Sequence, residues 1–224
     1  MRRSLRENGL ALFFFALFLG SLVGQAFTGH HDFNQDQLAH DSAPISLWRY
    51  LTSSAYGVAV LENWQSEYLQ FTLYIMATVW LLQRGSPESK PLDQAGLQSE
   101  RRQRLGPHAD QDSPRWARAG GLRTLLYSNS LLIVMGLLWV GSWAAQGITG
   151  RVEYNATQLE HDQTPVSLAE YLASADFWER TLQYWQSEFL AIGSMAILSV
   201  YLRQRGSPES KPVGAPHTTT GAER

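Results

Sequence analysis

Two runs without a charged residue, Leu10 to Phe27 and Leu125 to Gln146, constrain this chain more than any other feature in it. A backbone crosses hydrocarbon only where it satisfies its own N–H and C=O groups, and about 20 apolar residues in a helix suffice. Two further uncharged runs, Tyr68 to Leu82 and Phe189 to Leu202, are shorter. They reach spanning length only if each helix extends outward through a tetrapeptide that occurs twice, Trp64-Gln65-Ser66-Glu67 and Trp185-Gln186-Ser187-Glu188. The expected fold is therefore all-α, a polytopic membrane protein with four transmembrane helices near 9–27, 57–83, 124–147 and 177–203. The mean hydropathy of -0.22 averages these runs with polar blocks and conceals them.

Charge sets the orientation. Arg2, Arg3 and Arg6 precede the first span, and Arg84, Lys90, Arg101, Arg102, Arg104, Arg115, Arg118 and Arg123 lie between the second and third. The loops on the other side hold only Arg49, Arg151 and Arg180, so the positive-inside rule puts both termini in the cytoplasm. Met1 to Ala26 also reads as a signal peptide, with Gly24-Gln25-Ala26 as its cleavage site. The same pattern recurs inside the chain as the third span, where no peptidase would remove it, and this favours a retained helix.

Asn8 to Pro91 aligns with Asn129 to Pro212 without a gap at a constant offset (129 − 8 = 121). Repeat 1 is 1–91, repeat 2 is 124–212, and a polar linker of 92–123 and a tail of 213–224 have the composition of disordered segments. An even number of spans per half gives both halves one orientation, so they form parallel repeats with a pseudo-twofold axis along the membrane normal. Each first span ends in Gln-x-x-Thr-Gly, and Gly29 and Gly150 are placed to cap it. Beyond them, Ser167 with Glu170 predicts a short interfacial helix, and Asp176 with Glu179 the start of the last span.

The polar groups that fall within or near the spans are the candidate site. Glu67 and Glu188 lie one turn deeper than Trp64 and Trp185, which suit an aromatic interface belt. Counting from the inner ends brings Gln25 and Gln146 to the same level, which predicts hydrogen bonds from Gln25 to Glu67 and from Gln146 to Glu188. Asn63, Ser66, Glu67, Gln70 and Tyr74 form one helical stripe expected to face the interior; the second half keeps Ser187 and Glu188 but has Ala191 and Met195 in place of Gln70 and Tyr74. The stripe is therefore not a continuous two-sided path.

In the outer loops, His40-Asp41 and His161-Asp162 repeat, but a bare His-Asp pair lacks the spacing of a metal motif, and no metal or cofactor is expected. There is no cysteine, and no nucleophile triad, phosphate loop or nucleic-acid motif, so catalytic residues and nucleic-acid partners are not expected either. On the inner side Gln83-Arg84-Gly85-Ser86-Pro87-Glu88-Ser89-Lys90-Pro91 returns unchanged as Gln204 to Pro212, including Arg205, Gly206, Ser207, Glu209 and Lys211. Glycine, proline and arginine suit a helix stop at a membrane surface. The serines, glutamate and lysine need another reason: a specific turn against the helix ends, or a protein partner or second copy of the chain that reads the motif twice.

Asn63 to Gln70, the Gln-Arg-Gly-Ser-x-Glu-Ser-Lys motif and the Gln-x-x-Thr-Gly segment resemble a family of bacterial integral membrane proteins of unknown function built from two such halves. The resemblance implies a bacterial plasma-membrane location and no assigned activity. The expected function is a non-enzymatic helical bundle that scaffolds or senses, its one certain partner the lipid bilayer; the alternative is a small transporter or channel for ions, protons or small solutes using Glu67 and Glu188.

Overall fold

The computed structural model describes residues 6–221; Arg2, Arg3 and Arg224 lie outside them. The described residues are helical and contain no strand. The first half holds α1 (Gly9–Ala39), α2 (Leu47–Leu51) and α3 (Ser54–Trp80). A linker with a 3-10 turn at Gly106–His108 and two short helices, α4 (Arg115–Arg118) and α5 (Gly121–Ser128), leads to α6 (Ser130–Glu160), α7 (Leu168–Leu172) and α8 (Ala175–Tyr201). Adding 121 to the bounds of α1, α2 and α3 gives those of α6, α7 and α8 to the residue (9 and 130, 47 and 168, 54 and 175). Two of these helices, α1 and α6, are long and apolar enough to cross a membrane, with hydropathies of 2.1 and 1.7 over their most apolar stretches.

The first helices are longer than the apolar runs that predict them. Gly29 and Gly150 do not cap α1 and α6; both helices continue to Ala39 and Glu160, 31 residues in all or about 46 Å. The stop is the His-Asp pair. Asp41 and Asp162 take φ of 55 and 54, the left-handed conformation that reverses a helix end. Ser42 N–H then donates to Gln37 O at 2.7 Å and Gln163 N–H to Gln158 O at 2.8 Å, closing the six-residue loop of a Schellman motif. His40 and His161 donate from Nδ1 to the carbonyls of Asp36 and Thr157, at 3.0 and 2.9 Å. A polar, non-glycine left-handed residue is uncommon, but aspartate tolerates it.

Asn34 and Asn155 hold the return of the chain. Asn34 accepts from Ile45 N–H at 2.8 Å and donates to Ile45 O at 3.0 Å, and Asn155 makes the same pair with Val166. Ser46 then caps α2. The last long helix starts two residues earlier than expected (176 − 174 = 2): Ser174, not Asp176, caps α8 by accepting from Phe177 N–H, and Asp176 is left to use its carboxylate elsewhere.

The described residues divide into two units, Met1–Val60 with Gln146–Leu168 and Leu61–Ala145 with Ala169–Arg224. The first unit packs around Tyr50, whose ring lies 5.6 Å from Phe33 and 5.8 Å from His30. Gly29 has a packing reason in this unit, since a Cβ there would collide with the Tyr50 hydroxyl. The second unit has an aromatic centre at Trp143, with ring centroids of Phe177, Trp178 and Trp185 at 5.9, 6.0 and 5.9 Å.

The two nonapeptides fold alike. Gly85 and Gly206 have φ of 84 and 86. Ser89 Oγ accepts from Gln83 N–H at 3.0 Å, and Ser210 Oγ from Gln204 N–H at 2.9 Å. Ser86 and Ser207 hydroxyls accept from Glu88 and Glu209 N–H, both at 3.2 Å. Lys90 Nζ donates to Val79 O and Gly96 O; Lys211 Nζ donates to Pro216, His217 and Thr219 carbonyls, of which His217 is the counterpart of Gly96. The motif is a folded collar in which the lysine gathers carbonyls that the helix end and following turn leave open. The tail differs from its composition-based expectation: Thr220 Oγ1 accepts from Gly85 N–H and Gly221 N–H donates to Ser86 O, so it is held as far as Gly221.

Candidate functional site: a buried charge network

The face of α3 that is buried is not the one expected. Val58, Glu62, Gln65, Ser66, Leu69 and Thr72 are buried, at the three- and four-residue spacing of one helical face. Asn63 and Glu67 are exposed, and Gln70 and Tyr74 are partly buried. The stripe predicted to point inward is thus turned by part of a turn, because Glu62 and Gln65 take the interior. Ser66 belongs to both faces.

What draws Glu62 inward is Arg180. Its guanidinium Nη1 lies 3.3 Å from Glu62 Oε1, and its Nε donates to Asp176 Oδ2 at 3.1 Å. Glu62 is 4% exposed, so a carboxylate there without a cation would be strongly disfavoured. Tyr184 also acts on the same carboxylate. Tyr171, buried on α7, donates to Asp176 at 3.2 Å; burial and this carboxylate push its phenol well above the ordinary range. Gln65 extends the chain of contacts, donating to Glu62 O at 3.1 Å and accepting from Trp185 Nε1 at 2.8 Å. Tyr171, Asp176, Arg180, Glu62, Gln65 and Trp185 therefore form one connected polar path, all within the second unit.

The repeat is broken here. The counterparts of Glu62, Asp176 and Arg180 are Gln183, Ala55 and Ala59, so the charged groups exist once each. The two identical tetrapeptides also have unlike surroundings: Gln65 is fully buried and Gln186 exposed, Trp185 is in the aromatic centre and Trp64 is 38% exposed. Trp185 is accordingly a hydrogen-bonded packing residue in addition to its expected place in an interface belt.

Of the other candidates, Glu188 is partly buried, and the α3 groups that act on it are Glu67 and Ser66, whose hydroxyl donates to Asn63 O at 2.9 Å. Ser187 is exposed and donates to the Tyr184 carbonyl at 2.9 Å. Gln146 is fully buried, and neither its Oε1 nor its Nε2 has a partner among the described residues. Gln25 lines a groove on α1. Gln70 lines a cavity of 220 Å³ with Tyr74, Glu88 and Met195, where the Tyr74 hydroxyl donates to the Glu88 carboxylate. His40, Asp41, His161 and Asp162 end helices, and the described residues contain no group of three side chains able to hold a metal.

Chemically, the network is closed: one guanidinium answers two carboxylates, and the phenol and the amide use their protons on neighbours. Such an arrangement braces α3 against α8. The signal that could have found it was in the sequence, in the positions where the halves disagree in charge and not in those they share. No curated protein and no solved structure matches the chain. A family model does, over residues 1–222, and by that match the chain belongs to the family described as a domain of unknown function, DUF6766.

Proposed function

We propose that the protein is a four-span integral protein of the bacterial inner membrane, with both termini cytoplasmic, that acts as a non-enzymatic scaffold or sensor. The observation that carries this reading is the closed Glu62–Arg180–Asp176 network, which commits these three charges of α3 and α8 to each other. Two apolar helices of 31 residues and two more of 27 supply the lengths for four spans, the shorter pair reaching about 40 Å. The duplicated collars suit an inner-surface anchor that also offers a partner, protein or second copy, two equivalent faces.

The alternative, a small transporter or channel, has one observation in its favour: Glu188 feels the charge of Glu67 within the second unit. Flux measurements on proteoliposomes separate the two. The scaffold predicts proton and solute leak no greater than in empty liposomes, unchanged in Glu67→Gln with Glu188→Gln. Flux that disappears in that double variant, with the bundle still folded, contradicts it.

A further inference from the structure

The first unit contains a groove of 640 Å³ along one face of α1, whose walls include Gln25, Thr28, Asp32, Asp36, Tyr50 and Ala59. Neither lysine nor arginine lines it. Tyr50 is 6% exposed, yet its hydroxyl has no hydrogen-bond partner among the described residues, and the carboxylates that act on it are Asp32 and Glu153. Glu153 is occupied in part by the Ser54 hydroxyl at 3.0 Å, and Asp36 by His40 at 3.5 Å. Gly29 also lines the groove, and the Tyr50 hydroxyl lies against it, so the unpaired group sits on the groove wall. The hydroxyl is open to the groove, where a ligand can take it up as a hydrogen-bond partner.

The second half shows what fills such a place. Its counterpart of Tyr50 is Tyr171, whose hydroxyl is taken by Asp176, and Asp176 is in turn held by Arg180. The first half has Ala55 and Ala59 at those two positions, and both alanines line the groove. Where one half carries its own guanidinium and carboxylate, the other carries two methyl groups, open volume, an unpaired phenol and acidic walls. Phe33 and Tyr50, rings 5.6 Å apart and both in the lining, add aromatic faces that attract a cation.

We propose that this groove is a binding site for a small guanidinium-bearing organic cation, seated between Asp32, Asp36 and the Tyr50 hydroxyl. Asp32 and Asp36 are one turn apart on α1, so their carboxylates present a fork that a planar guanidinium matches better than a point charge does. The proposal deepens the sensor reading and rests on it for the role of the site. Binding is measured on the purified full-length chain, so its failure leaves the topology and flux tests of that reading independent.

The test uses methylguanidinium chloride and its neutral isostere N-methylurea, followed by saturation-transfer NMR on the protein in nanodiscs. Saturable binding of methylguanidinium, at least about tenfold stronger than that of N-methylurea, is expected. Asp32→Asn with Asp36→Asn, both at exposed positions, should weaken it by about tenfold or more. Ala55→Asp with Ala59→Arg, which rebuilds the second half's arrangement in the first, should abolish it. Equal binding of the two probes, no saturable binding to the wild type, or full binding by the Ala55→Asp and Ala59→Arg variant would each overturn the proposal.

Discussion

Arg180 on α8 lies 3.3 Å from Glu62 on α3, and Glu62 has nothing else of positive charge among its partners. Removing the arginine should therefore do more harm than removing the pair. Arg180→Ala leaves a buried carboxylate uncompensated. Because Arg180 itself is 44% exposed and water can follow it inward, the loss should be about 1–3 kcal/mol, below the range for a fully enclosed pair. Glu62→Gln combined with Arg180→Gln should recover at least half of it. Denaturation in mixed micelles, with the two single variants completing the cycle, measures the coupling; additive single effects would mean that the contact carries no energy.

Gly29 should not accept a side chain. Gly29→Ala drives a methyl into the Tyr50 hydroxyl and should cost about 1–3 kcal/mol, whereas Gly20→Ala, with nothing within 4 Å of the added carbon, should be neutral or slightly stabilising through helix propensity. Thermal unfolding of the two variants beside the wild type checks this, and equal midpoints for both would show that Gly29 is not a contact site.

Lys211 is 4% exposed and donates to three carbonyls without a carboxylate, and burial together with Arg203 holds its ammonium below the ordinary lysine range. Lys211→Met should release the tail. Amide exchange at Gly221, whose N–H donates to Ser86 O, should accelerate by about tenfold or more, roughly the loss of one or two charge-assisted hydrogen bonds. Unchanged protection at Gly221 would detach the lysine from the tail's fold.

His40 gives a pH dependence of stated sign. Its Nδ1 donates to the Asp36 carbonyl, and that bond, with the nearby Asp36 carboxylate, raises its pKa above the ordinary 6.5. A raised folded-state pKa means that protonation favours the folded form: the contribution is full below 6.5 and is lost as pH rises through the folded value. The unfolding midpoint should thus fall slightly between pH 6 and pH 8, and His40→Asn should remove that slope. A slope unchanged in the variant would assign it to another group.

How much of this was legible in the sequence differs by element. The long helices and their common offset could be read from uncharged runs and from the repeat, because hydrophobic segments and identical residues are local signals. The helix ends could not: Gly29 resembles a cap, but its use is to admit Tyr50, and the real stop is an aspartate in a left-handed conformation that glycine counting passes over. Ser86, Ser89 and Lys90 were unexplained as letters and became intelligible only as acceptors and donors of particular backbone groups. The buried face of α3 was misassigned because a charged residue is ordinarily scored as solvated, and Glu62 is buried only because a partner 118 positions away supplies Arg180. Tertiary pairing of that kind leaves no trace in a single helix.

The central claim is the membrane topology, and the chain's lack of native cysteine makes it directly testable. Single cysteines at Ser53, Ser174, Ser86 and Ser207 in an otherwise unaltered chain, expressed in intact cells, are exposed to a membrane-impermeant maleimide. Four spans with both termini inside predict that Ser53→Cys and Ser174→Cys are labelled from outside, while Ser86→Cys and Ser207→Cys react only after the membrane is opened. Labelling of Ser86→Cys or Ser207→Cys in intact cells, or protection of Ser53→Cys or Ser174→Cys until lysis, would contradict it.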